Sequence, residues 1–201
     1  MKRLILMTSP PACGKNYVSR ALCKKLHPMT YLDKDTLIIM SRKIFEVGNA
    51  PFDRSSSFFY QYVRDVEYEC VLALALEALE YSDTVLINAP FTHEIRSKTW
   101  MHGMRAQLAE KGAILTVVFV VADPEIVHQR MLLRKSDRDT WKLEHWDEYN
   151  AGVDYSIPTV PQDRSNCDEF FVINNNSDEA MQSNLDAMVE QIRQMDQMGL
   201  S

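Results

Sequence analysis

Thr8-Ser9-Pro10-Pro11-Ala12-Cys13-Gly14-Lys15-Asn16-Tyr17 is the stretch on which the reading of this chain turns. It follows the apolar run Leu4-Ile5-Leu6-Met7. It precedes Val18, Ala21, Leu22 and Leu26, which are spaced as on one face of a helix. Strand, tight loop, Gly-Lys and helix in that order are the layout of a phosphate-binding loop. A helix N-terminus leaves several backbone N–H groups without partners and carries partial positive charge, so it attracts phosphate. Pro10 and Pro11 have no N–H, which leaves the amides of Ala12, Cys13, Gly14, Lys15 and Asn16 to form the cradle. Gly14 lets the backbone approach an anion closely, and Lys15 adds a mobile charge that reaches β- and γ-phosphates. Against the pattern G-x-x-x-x-G-K-[ST], Ser9 replaces the first Gly, and Asn16 replaces the hydroxyl residue that meets magnesium. Ser9 is accommodated because a residue before proline is extended in any case. Asn16 offers only a neutral amide oxygen.

The chain has 201 residues, 46% of them apolar, which fits one domain with one sizeable core, residues 1–201. Its net charge of −6 argues against a general duplex-DNA binder and leaves room for a local basic cleft. No apolar run approaches the ~20 residues of a membrane span. Met1-Lys2-Arg3-Leu4 opens like a signal peptide, but the apolar run stops at Pro10-Pro11 without a small-residue cleavage site. Cys13, Cys23, Cys70 and Cys167 form no C-x-x-C pair and read as free thiols of a reducing compartment, the cytoplasm. Cys13, beside Lys15 and a helix N-terminus, is expected to be a reactive thiol with a lowered pKa.

Strands are expected at about 3–8, 29–32, 84–87, 113–121 and 169–173, each followed by at least one helix. The helices fall at about 14–27, 37–46, 58–81, 93–111 and 123–137, and one closes the chain. Val63, Val66, Cys70 and Leu74 are the expected buried face of the long one. Residues 138–165 read as polar and irregular, with Trp141, Trp146 and Tyr149 packing on a lid. Asn176 and Glu179 resemble a capping box for the last helix. Strand and helix in alternation demand a parallel sheet with right-handed crossovers and helices on both faces, a three-layer α/β/α sandwich. Ligands bind such sheets beyond the C-terminal strand ends. That singles out Ser9–Asn16, Asp33–Asp35, Asn88–Thr92, Asp123 and Asn174–Asn176.

Taken together, Ser9–Tyr17, Tyr31-Leu32-Asp33-Lys34-Asp35, Val85-Leu86-Ile87-Asn88-Ala89-Pro90-Phe91, Asp123-Pro124-Glu125 with Arg130, Arg134 and Arg138, and Asn174-Asn175 resemble the P-loop kinases that include polynucleotide kinases, chloramphenicol phosphotransferase and zeta toxins. The resemblance spans nearly the whole chain and names no substrate. It implies a five-stranded P-loop NTPase fold with a helical lid at about 130–165. It implies ATP and magnesium as cofactors, bound by Pro11, Ala12, Cys13, Gly14, Lys15, Asn16, Tyr17, Arg130, Asn174 and Asn175. Lys15, Asp35, Arg130 and Arg134 are then the catalytic candidates. In such kinases an aspartate after the second strand contacts the acceptor hydroxyl, the role expected of Asp35 as general base. Asp33 is its rival, unless it only caps the following helix. Arg130, Arg134 and Arg138 share a helix face; they either form a lid that forks onto phosphates or are cations favoured near a helix C-terminus. Asn88 stands where many P-loop enzymes place a metal-holding aspartate, so Asn16 and Asn88 are the metal-side candidates, with Asp33 or Asp35 as alternatives. Thr92, His93 and Arg96 lie near the ligand edge, and Asp53, Arg54 and Arg64 border the acceptor wall.

Three functions are compatible with these residues. The first is a small kinase acting on a hydroxyl of a small molecule, nucleoside or nucleic-acid end. The second is a nucleotide-binding module with weak or no transfer. The third, a partner-coupled ATPase, lacks an obvious extra domain. The oligomeric state stays open.

Overall fold

The computed structural model describes residues 1–136 and 139–198; Asp137 and Arg138, and with Arg138 the third arginine of the expected lid face, lie outside them. Five strands, β1 (Lys2–Thr8), β2 (Thr30–Asp33), β3 (Thr84–Asn88), β4 (Ala113–Val121) and β5 (Glu169–Asn174), pair in parallel in the order β2-β3-β1-β4-β5. The apolar runs are continuous because both faces of the sheet are covered. Leu4 and Leu6 point to one face, where Val85, Ile87, Leu115, Val117 and Phe119 pack under α4 (Arg64–Ala78) and α5 (Lys98–Glu110). Ile5 and Met7 point to the other, where Leu86, Val118, Val120 and Ile173 pack under α1 (Lys15–Lys25), α6 (Pro124–Arg134) and α9 (Asp178–Met198). This is the expected three-layer α/β/α sandwich.

The register places the site. Met7 and Asp33 are both Cα partners of Asn88. The end of β2, the end of β3 and the loop after β1 therefore meet at one point on the C-terminal edge of the sheet, where an open parallel sheet takes its ligands.

Several helices differ from expectation. The long helix is broken at Val63, whose backbone (φ −122°, ψ −46°) leaves helical geometry between α3 (Ser57–Tyr62) and α4. Its buried face is Val63, Glu67, Tyr68, Val71 and Ala75, whereas Val66 and Leu74 face solvent. The segment carries apolar residues nearly all round, so spacing alone selects the wrong stripe; a buried carboxylate, Glu67, takes the inward position because cations meet it there. The helix expected from residue 93 starts as a 3-10 turn (Glu94–Arg96), and α5 is capped by Ser97, which accepts from Trp100 N. Lys135 turns left-handed (φ 47°) and stops α6 at Arg134. The irregular segment contains α7 (Thr140–Glu144) and α8 (Trp146–Ala151). Ser177, not Asn176, accepts from Ala180 N at the start of α9, while Asn176 donates Nδ2 to Asp123 and accepts from the Asp123 amide. The helix over 38–47 is α2 (Ile38–Val47).

Arg3, fully buried at the opposite end of β1, donates two bonds to Glu169 (2.9 and 3.0 Å) and two to Asp196 (3.2 and 3.1 Å), tying β1 to β5 and α9. Removing one partner of a buried pair leaves an uncompensated charge. Arg3→Met is expected to cost about 3–5 kcal/mol in chemical denaturation. Nucleotide affinity of the folded variant should stay unchanged, because the pair lies at the far edge of the sheet.

Candidate active site

The loop after β1 is held by its own backbone and by the residues behind it. Ala12 (φ 59°) and Gly14 (φ 88°) are left-handed, the kind of backbone from which anion-binding concavities are built. The first bonds of α1 run from Tyr17 N and Val18 N to the carbonyl of Gly14, so the N–H groups of Lys15 and Asn16 face out of the helix end. Gly14 is required twice over. A Cβ there would be strained at its φ and would lie 2.2 Å from Nδ2 of Asn175. Buried Asn175 donates to the carbonyl of Cys13 (2.7 Å), and Arg130 donates to the carbonyls of Asn175 (2.6 Å) and Cys13 (3.4 Å).

Lys15 carries the charge of the site. Its Nζ donates to Oδ1 of Asn88 at 2.5 Å. Asn88 Nδ2 donates in turn to Asn16 Oδ1 and Asp33 Oδ2, both at 2.9 Å, and Ser19 Oγ lies 3.2 Å from Asn88 Oδ1. Burial lowers the Lys15 pKa to about 8, against the opposing pull of the Asp33 and Asp35 carboxylates. Asp33 also accepts from Tyr31 Oη (3.0 Å) and from the amide of Asp35 (3.0 Å), so it caps the 3-10 turn Lys34–Leu37 while holding Asn88. Asp35, exposed, points its part of the turn toward a cavity of about 970 Å³.

That cavity is lined on the loop side by Ser9 to Ala12 and Gly14 to Asn16. Across from the loop lie Asp35, Tyr60, Thr92, His93 and Arg96, and on the lid side Arg130, Arg134, Lys142 and Asp154. The structure thus brings Pro11, Ala12, Gly14, Lys15, Asn16, Asp35, Arg130 and Arg134 around one space. Three expected contacts, Tyr17, Asn174 and Asn175, do not line this cavity, and at Cys13 it is the side chain that turns away from it. Cys13 is buried behind the loop, and burial pushes its thiol up to about 11, the reverse of an activated cysteine. Tyr17 is exposed and bonds the Asp178 side chain. Asn174 accepts from Asn176 N, and Asn175 supports the loop from behind. Arg134 forks onto Asp139 (Nε at 2.8 Å), so it braces the lid. The side-chain oxygens of Asn16 and Asn88, expected on the metal side, already accept from Asn88 Nδ2 and Lys15 Nζ. Trp146 stacks on His128 of α6 (4.2 Å between ring centres), as expected of a packed lid; Trp141 is exposed and stacks on His145. Tyr60, Lys142 and Asp154 were not legible as site residues, because each reaches the cavity only through the break at Val63 or the path of the lid. Ser19, four residues after Lys15 on α1, carried a faint signal.

A family model described as an AAA domain matches residues 4–155. The chain belongs to that family, and its fold is the α/β fold of P-loop kinases. Among solved structures, a Chloroflexus aurantiacus j-10-fl protein classed provisionally as a kinase is similar at 19% identity, over 98% of this chain and 97% of its own, with a TM-score of 0.62. Shikimate kinase from Bacteroides thetaiotaomicron is similar at 15% identity, over 96% and 98%, with a TM-score of 0.53. A gluconokinase from Sinorhizobium meliloti 1021 is similar at 13% identity, over 96% and 97%, with a TM-score of 0.53. At these identities the likeness establishes the fold. Comparison with curated protein sequences gives no match. Among the described residues no helix is long and apolar enough to cross a membrane.

The lowered Lys15 pKa has a measurable consequence. Polyanion binding favours the charged amine, so the pKa rises in the complex, and binding above the free value of about 8 takes up a proton. Calorimetry in buffers of different ionisation enthalpy should show ATP binding with uptake of close to one proton at about pH 9 and far less at about pH 7. The affinity should weaken as pH rises over that interval, and Lys15→Met should abolish the uptake.

Proposed function

We propose that the chain is a small ATP-dependent kinase that transfers the γ-phosphoryl group to a hydroxyl of a small-molecule, nucleoside or nucleic-acid-end acceptor. The observation that carries this reading is the joint lining of one cavity by the loop amides, Lys15 and Asp35. The loop and Lys15 hold the phosphates. Asp35 orients the acceptor hydroxyl, whose oxygen bonds to the γ-phosphorus as the bridging bond to ADP breaks, and takes its proton late in transfer. Arg130, fixed by the carbonyls behind the loop, presents positive charge to the transferring group. Arg134 reaches the same cavity from its brace on Asp139.

Asp33 and Asp35 divide the labour. Asp33 is committed to three hydrogen bonds, which suits a fixed negative charge rather than a proton acceptor. Asp35 accepts no such ties and borders the open space. Magnesium favours charged carboxylates over neutral amides, so these carboxylates suit it better than the Asn16–Asn88 pair, whose oxygens accept from Asn88 Nδ2 and Lys15 Nζ. Asp33, with phosphate oxygens, is the residue that would hold the ion; when bound, it offsets phosphate charge. That same engagement of both amide oxygens favours a second reading, a nucleotide-binding module without transfer.

Labelled ATP incubated with sugars, hydroxy acids, nucleosides and 5′-hydroxyl oligonucleotides separates the two. For the kinase, Asp35→Asn should lower kcat by about 10²–10⁴-fold on the labelled acceptor, with ATP affinity kept. Asp33→Asn should instead weaken the metal-dependent part of ATP binding. ATP binding by wild type with no acceptor labelled would favour the module, and an unchanged rate in Asp35→Asn would remove Asp35 as the base.

A further inference from the structure

Glu67 is 3% exposed and lies on α4, away from the phosphate loop. It accepts from Lys34 Nζ at 2.5 Å, from Ser41 Oγ, and from both terminal nitrogens of Arg54 at 2.6 and 2.8 Å. Burial alone would push its carboxyl up, but the bonds from Arg54, Lys34 and Ser41 hold it below the ordinary glutamate range. Each donor comes from a different segment. Lys34 is the residue before Asp35, in the same 3-10 turn. Ser41 is on α2, and Arg54 is in the loop between α2 and α3.

These segments form a unit of their own. Phe45, Phe59 and Val63 make a small core with Ile44, Ala50 and Phe58, separate from the two cores on the sheet faces. Phe58 lies so close to Gly48 that a Cβ there would meet its ring at 2.4 Å. Arg54 also stacks over Phe59 at 4.8 Å. From this unit Tyr60 reaches the cavity opposite the phosphate loop. The wall that faces the reaction space is therefore packed on itself, and Glu67 ties it to the turn that carries Asp35.

We infer that Glu67 is a positioning residue: through Lys34 and Arg54 it sets the wall of residues 41–62 against Asp35, so that an acceptor hydroxyl, and not water, occupies the space beside the base. This rests on the kinase reading for its consequence, though the tie itself does not. Arginine and lysine together supply two positive charges to one carboxylate, and once it is neutral only the ring faces of Phe59 and Tyr68 remain to them among the described residues. Neutralising Glu67 should release the loop and leave the phosphate loop untouched. With the wall released, water enters, its oxygen bonds to the γ-phosphorus as the bond to ADP breaks, and its proton passes to Asp35.

The test compares wild type, Glu67→Gln, Arg54→Met and the double variant, with ATP as the probe. Amide exchange should accelerate severalfold within 48–62 in each variant and stay unchanged in β1, β3 and β4. ATP affinity should stay within about twofold, a free-energy change of about 0.4 kcal/mol by RT ln 2. Acceptor-independent ATP hydrolysis should rise severalfold, a gain that mere loss of structure would not produce. The double variant should match the single ones, since both act through one contact. Exchange confined to no segment, or hydrolysis falling in step with ATP binding, would overturn the inference. If Glu67→Gln does not fold, Arg54→Met gives the same readings alone. Failure of the kinase reading shows differently, as a wild type that binds ATP and neither transfers nor hydrolyses it while exchange at 48–62 still responds.

Discussion

Lys15 sits half-buried with its ammonium on the amide oxygen of Asn88, and the surrounding structure answers to that contact. A buried amine without a carboxylate at bonding distance is costly, and here the cost appears as a pKa lowered to about 8. The nearest full negative charges, Asp33 and Asp35, come from the neighbouring strand and its turn. The register Asp33↔Asn88 brings the first of them within one hydrogen bond of the amide that holds the lysine. A polyphosphate bound at the loop would supply the missing counter-charge. On the proposed kinase reading, the strongest electrostatic demand of the site is met by its ligand.

The support behind the loop follows the same logic. Ala12 and Gly14 adopt left-handed backbone, a conformation that Ala12 enters against its own side chain and that must be held from outside. Asn175 and Arg130 hold it by converging on the carbonyl of Cys13. The Cys13 thiol is packed behind the loop, and its burial pushes its pKa up to about 11. On the other side of the cavity, Glu67 gathers Lys34, Ser41 and Arg54 onto one buried carboxylate.

The parts of this arrangement that depend on local pattern were legible in the amino-acid sequence. Ala113–Val121, largely apolar and rich in β-branched residues, is a central strand with the expected ends. The succession of strands along the chain and the loop at the end of β1 follow from apolar runs and from Gly14-Lys15, whereas their order within the sheet comes from the structure. What escaped was set by distant partners. Val66 and Leu74 look like core residues, yet Glu67 turns inward because Lys34 and Arg54, far away in the chain, neutralise it. Cys13 resembles an activated thiol by its neighbours in sequence, and only the fold shows that burial wins. Asn174, Asn175 and Tyr17 stand where ligand contacts are expected, but each is taken by a protein partner.

The central claim is that this loop cradles a nucleotide triphosphate and that the ligand takes Lys15 from Asn88. A crystal structure with a non-hydrolysable ATP analogue tests it most directly. The expected result is a β-phosphate bonded to amides within residues 12–16, with Lys15 Nζ moved from Asn88 Oδ1 onto the β- and γ-phosphate oxygens and the γ-phosphate facing Asp35. A nucleotide bound elsewhere, or bound here with Lys15 still on Asn88, would contradict it.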